Sequence, residues 1–353
     1  WDPVFPPGAL WDALNMVYAD ESDNPEVMRG TTRLGVTDMG GAVTGMFDHD
    51  SGTKLIASCA DGKIYQYTGT DWAAESGAAA SGNDTTATTR WNAEGFYGAT
   101  STADLTVLCN GIDAPAKYDN TDVTALGGSP PSTGNFPTEF MGRLALAEGD
   151  LVTFSAPNDC EQWTVAAGAK RIQVARGKDG PIVGMRNHGG VLLVFKRNST
   201  YRIRPTQTFT SADVAQVSAN IGLVSARTLA DAGSEGAENL SWASSQGLEM
   251  IQATDTSVGW AVRNITRWPK NVMSFRNKAQ MDVAWSDFNI DRRELYFHYP
   301  TGSNTIPKEG IIGNFARPRK LPRWTRMDKA NLTAGVVYRS SGTEFVQYAD
   351  VST

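Results

Sequence analysis

The sequence predicts an all-β chain folded as a β-propeller of about seven blades, with six to eight compatible with the pattern. Three observations lead there: a series of short apolar hairpins with turn residues between their strands, a composition rich in strand and turn formers, and little helical periodicity.

The hairpins set the architecture. Residues 54–67 (KLIASCADGKIYQY) place Asp61-Gly62 between two strand-like runs, a strong hairpin signature. Residues 105–118 turn at Asn110-Gly111, residues 144–154 at Glu148-Gly149-Asp150, and residues 191–203 near Asn198. Residues 240–251 turn at Gln246-Gly247, and residues 335–348 at Ser341-Gly342. Between these two, residues 295–315 hold a strand, a polar excursion and a second strand. Counted from Leu55, Val107, Leu144, Leu192, Leu240, Leu295 and Val336, the six steps span 281 residues, about 47 each. That is the size of a four-stranded blade. A pair of β-sandwiches with coincidental spacing is the alternative built from the same strands.

The segments 43–47, 182–185, 224–229 and 283–285 precede hairpins and are expected as the innermost strands of their blades. Each hairpin then forms the middle of its sheet. Gly62, Gly111 and Gly247 are expected as structural turn residues, at least one with positive φ, where a β-branched side chain fits poorly. Residues 1–32 are expected as an N-terminal extension, available for contact with neighbouring subunits. Leu10, Leu14 and Val17 give its segment 8–18 a short helical stripe. Residues 33–353 are expected as a single propeller domain.

Composition supports strands and excludes several functions. The 353 residues include 35 Gly, 16 Pro and 10 Trp, and a formal charge of -6 argues against a broadly basic nucleic-acid binder while allowing one local positive face. No apolar run is long enough to span a membrane. Three cysteines, Cys59, Cys109 and Cys160, cannot all pair within the chain. Their near-blade spacing places them in successive blades, buried and unpaired.

The search for chemistry predicts no catalytic residue, metal or cofactor. His49 (in DHDSG) and His188 (in RNHGG) lie in turn-like contexts, and His298 alternates with aromatics in a strand-like run. None has metal-ligand spacing to another His or Cys. Asp61, Asp71, Asp113, Asp150 and Asp159 are expected to cap their own turns. The densest basic run is Arg317, Arg319, Lys320, Arg323 and Arg326, interrupted by Pro318 and Pro322 and therefore expected on an irregular segment. Such a run suits an acidic protein interface or passing DNA phosphates.

The ordered series of motifs resembles the β-propeller family of tail nozzle, or tail-stabilisation, proteins of short-tailed bacteriophages (tail tubular protein B-like). It starts at Arg33-Leu34-Gly35 and continues through Asp61-Gly62-Lys63-Ile64-Tyr65-Gln66-Tyr67 and Leu108-Cys109-Asn110-Gly111-Ile112-Asp113-Ala114-Pro115-Ala116-Lys117-Tyr118. Gly142-Arg143-Leu144 with Val152-Thr153-Phe154-Ser155 comes next, then Ile182-Val183-Gly184 and Leu193-Val194-Phe195-Lys196-Arg197-Asn198-Ser199-Thr200-Tyr201-Arg202-Ile203. Ile221-Gly222-Leu223-Val224-Ser225 and Ser245-Gln246-Gly247-Leu248 close the series. The resemblance implies a non-enzymatic virion component in the tail. It implies a homohexameric ring below the portal and adaptor, and transient nonspecific contact with genomic DNA in its channel. A carbohydrate-binding or carbohydrate-degrading propeller of a tail fibre, or a connector, stopper or hub protein of another tail type, is the alternative.

Overall fold

The computed structural model describes residues 16–18, 25–27, 39–49, 54–86, 89–97, 104–205, 212–232, 239–253, 260–266, 273–315, 322–328, 332–340 and 343–350. The chain divides into two compact units, one of Leu34–Ala226 and one of Trp1–Arg33 with Arg227–Thr353.

The first unit holds four antiparallel four-stranded sheets in chain order. Blade one is β3 (Val43–His49), β4 (Lys54–Cys59), β5 (Ile64–Tyr67) and β6 (Trp72–Ala74), and blade two is β7 (Asn92–Tyr97), β8 (Asp104–Cys109), β9 (Ala116–Tyr118) and β10 (Val123–Ala125). Blade three is β11 (Asn135–Phe140), β12 (Arg143–Glu148), β13 (Leu151–Phe154) and β14 (Lys170–Gln173), and blade four is β15 (Ile182–His188), β16 (Val191–Lys196), β17 (Thr200–Pro205) and β18 (Ala212–Ser218).

The second unit holds two more. Blade five is β19 (Ala230–Asp231), β20 (Asn239–Ala243), β21 (Leu248–Ala253) and β22 (Trp260–Asn264), and blade six is β23 (Trp285–Asn289), β24 (Glu294–Tyr299), β25 (Glu309–Asn314) and β26 (Arg323–Asp328). Two-stranded ladders β1 (Met16–Tyr18) with β2 (Pro25–Val27), and β27 (Leu332–Ser340) with β28 (Thr343–Asp350), complete this unit. The fold is an all-β six-bladed β-propeller.

The expected hairpins are the central strand pairs of the six blades. The seventh hairpin, 335–348, forms β27 and β28, a ladder without third and fourth partners among the described residues. The count is therefore six four-stranded blades and not seven. Two inner strands start later than expected. Residues Ala226–Thr228 form a 3-10 turn, because Thr228 Oγ1 accepts the Ala243 N–H (3.0 Å) and its carbonyl accepts the Ser286 hydroxyl (2.8 Å). Likewise Lys278–Val283 is a 3-10 segment capped by Asn277, and β23 begins at Trp285. Of the segment expected to carry a helical turn, residues 8–15 lie outside the described residues, and Met16–Tyr18 is β1, paired with Pro25–Val27.

In the first unit the core lies between consecutive sheets, so the middle strands there are apolar on both sides. In β16, Val191, Leu192, Leu193, Val194 and Phe195 are all buried. One cluster joins Phe140, Ala145, Val152 and Phe154 of blade three to Met185, Leu192, Val194 and Ile203 of blade four. Another joins Val107, Cys109 and Leu105 of blade two to Leu144 and Leu146 of blade three. In the second unit Trp285 is clamped: its ring stacks on His298 (centroids 4.3 Å apart) and its Nε1 donates to the Leu332 carbonyl (3.2 Å). A Cβ on Gly335 would meet the same ring at 2.2 Å, so glycine lets β27 lie against it.

A polar lock ties blade three to blade four. The Lys196 side chain has no exposure, and its ammonium donates to Asp150 Oδ1 (2.7 Å) and to the carbonyls of Ala175 (3.0 Å) and Lys178 (2.8 Å). Asp150 also accepts the Gly177 N–H (2.8 Å). Its carboxyl is held below the usual range, first by the Lys196 hydrogen bond and then by that amide.

Candidate functional site

Of the predicted basic run, Arg317, Arg319 and Lys320 lie outside the described residues. Arg323 and Arg326 do not sit on an irregular segment: both belong to β26, opposite Asn314 and Ile311. The two prolines act only before Arg323, and the following Trp-Thr-Arg-Met stretch has ordinary strand chemistry. Arg326 pairs with Glu309 of the adjacent strand at 3.2 Å, so part of the run is neutralised within its own blade.

The first strands carry a second constellation. Each contains a single charged side chain, opposite an apolar or aromatic residue of the blade's second strand. In the first unit these pairs are Asp48 with Leu55, Glu94 with Val107, Glu139 with Leu144, and Arg186 with Leu193. In the second they are Asp231 with Leu240 and Asp287 with Tyr296. The sequence reading missed this row. Its signal was one charge on the N-terminal side of each hairpin, mostly just outside the segments read as inner strands.

In the first unit the row converges. Arg186 Nη1 lies 3.6 Å from Glu94 Oε2, and Glu94 Oε1 accepts the Glu139 N–H at 3.2 Å. The Asp48 side chain is reached by solvent yet hemmed in by protein, so desolvation raises its pKa, opposed by its own backbone hydrogen bond and by the Arg186 charge. In the second unit Asp287 instead anchors backbone, accepting the N–H groups of Val337 (2.6 Å) and Phe288 (2.8 Å). Among the described residues no three His, Cys, Asp or Glu side chains form a metal-type group.

The histidines are less exposed than their local sequence suggests. His49 ends β3, is buried, and places Nδ1 2.8 Å from Thr106 Oγ1 with its ring edge-on to Tyr118. His188 is buried at the end of β15. His298 is wholly buried against Trp285, and burial lowers its pKa to about 3. All three cysteines are buried free thiols, in blades one, two and three as expected. Burial raises the pKa of Cys59 to about 12 and of Cys160 to about 11, far from the thiolate range of reactive cysteines.

The turn glycines and three of the five aspartates behave as read; Asp150 instead accepts from the Gly177 N–H and the Lys196 ammonium. Gly62 and Gly111 both have φ +77°, and Gly247 has φ +154°. Asp61, Asp71 and Asp159 accept N–H groups of Lys63, Trp72 and Glu161. Asp113 instead accepts from Asn110 and from Asp84 N–H, while Asn110 caps the turn.

No family model and no curated protein matches the chain. Solved structures do. The extracellular domain of a putative one component system of B. thetaiotaomicron aligns with TM-score 0.52 and 8% identity, over 88% of this chain and 37% of that one. Raptor of Chaetomium thermophilum aligns with TM-score 0.55 and 11% identity, over 92% and 29%. The extracellular domain of a putative hybrid two component system of B. thetaiotaomicron gives 0.51 and 7%, over 90% and 38%. Identities this low speak for the fold alone. The chain spans 29% to 38% of the length of these structures.

Proposed function

We propose that the chain is a non-catalytic structural protein of a short-tailed bacteriophage tail. In this reading it is a subunit of a homohexameric nozzle ring that continues the genome-exit channel below the portal and adaptor. The observation that carries the reading is the serial order of the motifs. Asp61–Tyr67, Leu108–Tyr118, Gly142–Leu144, Leu193–Ile203 and Ser245–Leu248 fall in or beside the central hairpins of five consecutive blades. Support also comes from the use of polar side chains in the turns. Asp150, Lys196, Asn110 and Glu161 all bind neighbouring backbone or ion partners inside the chain. The test is native mass measurement of the purified chain together with electron microscopy of particles. Rings of six and density below the portal are expected. A strict monomer that never enters a particle would overturn the proposal.

One observation favours a second reading, a glycan-binding or glycan-cleaving propeller of a tail fibre. It is the raised acid of Asp48 beside the Glu94–Arg186 pair, an arrangement shared by active sites and structural ion-pair networks. Loss of host-polysaccharide binding or cleavage in Asp48→Asn and Glu94→Gln would select it. Absence of either activity in the wild-type chain would remove it.

A further inference from the structure

We propose that the turn between β14 and β15, residues 174–181, together with the β16–β17 turn, is a phosphate-binding surface for the backbone of duplex DNA. The two turns are stitched into one surface. Lys196 holds the carbonyls of Ala175 and Lys178, Asp150 holds the Gly177 N–H, and the Ser199 hydroxyl donates to Asp179 Oδ2 (2.6 Å). Three cationic side chains are exposed on it: Arg176, Lys178 and Arg197. Neither Arg176 nor Lys178 has an ion-pair partner among the described residues, while Arg197 spends one Nη1 donor on the Val224 carbonyl (3.0 Å). Two carboxylates oppose these cations: Asp179 within the turn, and Asp150 beneath it, which the Arg176 charge reaches.

The backbone adds a second, independent feature. In a trans peptide the N–H points away from the preceding carbonyl, and the described chain has no cis bonds. The carbonyls of Ala175 and Lys178 point inward onto the buried ammonium. The N–H groups of Arg176 and Asp179 are therefore directed outward, and neither meets an acceptor among the described residues. The turn is held in this form by left-handed φ at Ala175 (46°), Gly177 (68°), Asp179 (58°) and Gly180 (74°), alternating with Arg176 and Lys178, which do not have positive φ. Between them the Gly177 N–H is taken by Asp150 and the Lys178 N–H by the Ala175 carbonyl (3.0 Å), so the Arg176 and Asp179 N–H groups are the two left for an oxyanion. The buried Lys196 is thus a positioning residue, and its own charge is turned inward.

Duplex backbone fits better than the other polyanions. Neither turn carries an aromatic ring on which unpaired bases could stack. The exposed large apolar residues of this unit, Ile112, Met141 and Val165, lie on other turns, leaving no apolar anchor beside these cations for a lipid surface. A small set of cations and amides reads phosphates without reading sequence. The inference goes beyond the ring proposal and does not need it, because a monomer can be tested on short DNA.

The experiment is fluorescence anisotropy of a labelled random-sequence duplex with the full chain, from low to moderate salt. Wild type is compared with Arg176→Gln/Lys178→Gln and with Arg197→Gln. Each released cation contributes about 0.9 to the slope of log K against log salt, so the double variant should lose about 1.8 of slope and bind about tenfold or more weakly at low salt. Unchanged far-ultraviolet circular dichroism and melting temperature show that the variants fold. Equal slope and affinity in all three proteins, or no wild-type binding, overturns the proposal. So does a loss of binding to anionic vesicles larger than the loss on DNA, which would reassign the surface to lipid. Competition by inorganic phosphate at millimolar concentration as strong as that by DNA phosphates would reduce it to a small-anion site and also overturns it.

Discussion

Replacing Asp150 by Ala tests the blade-three to blade-four lock. The substitution leaves the Lys196 ammonium with no exposure and only two carbonyl acceptors. Removing one partner of a buried ion pair costs about 3–5 kcal/mol, because the remaining charge keeps its desolvation penalty. Lys196→Met should cost less, about 1–3 kcal/mol, since it orphans the Lys178 carbonyl, while Ala175 keeps the Lys178 N–H and Asp150 is partly exposed to water. The double variant should cost less than the sum, as expected of groups in contact. Urea unfolding monitored by tryptophan fluorescence gives all three values. The pH dependence has a definite sign. The Asp150 pKa is lowered in the folded state, so its contribution is fully present above its unfolded value and is lost as pH falls through the folded one. An Asp150→Ala penalty under about 1 kcal/mol, or a Lys196→Met penalty exceeding it, would refute the reasoning.

Three further outcomes are expected. His298 stays neutral in the fold to about pH 3, so melting temperature should fall as pH drops below about 6.5, where the unfolded chain begins to take up its proton; His298→Phe should flatten that dependence. Gly335→Ala should destabilise by about 1–3 kcal/mol by overpacking Trp285, with a change in tryptophan emission, whereas free accommodation would mean that β27 does not lie against that ring. A thiol reagent should label none of Cys59, Cys109 and Cys160 in the native chain and all three in denaturant; rapid native labelling of Cys109 would contradict its burial.

Turns were readable from sequence because their determinants are local. Asp61-Gly62 and Asn110-Gly111 need only a residue that accepts φ +77° and a side chain that binds the next amides, and both are adjacent in the chain. The blade count was less readable. The hairpin of β27 and β28 has the same local pattern as a blade centre, and nothing in residues 335–348 states how many further strands join it. His49 was misread for the same reason: DHDSG looks like a solvated turn locally, but Thr106 of the next blade takes the imidazole. The meeting of Arg186 with Glu94 was not readable at all. It depends on which first strands lie near one another, information that appears only after the sheets have formed.

Net charge says little about any one face, because a formal count ignores where each charge is used. Many of this chain's carboxylates are turned into the chain as acceptors of backbone N–H groups: Asp61, Asp71, Asp119, Asp159, Glu161 and Glu344. The amide dipoles they face offset part of their field. Arg176 and Lys178 form no ion pair among the described residues, although the Arg176 charge reaches Asp150, and both are exposed on a turn that Lys196 holds from beneath. A polyanion approaching that turn therefore meets a positive local potential, even though the formal charge of the whole chain is -6. Screening sharpens the difference, since charges more than about 8–10 Å apart across exposed surface contribute little at physiological salt. For contact with phosphates, the few cations within that distance matter more than the excess of six acids spread over 353 residues.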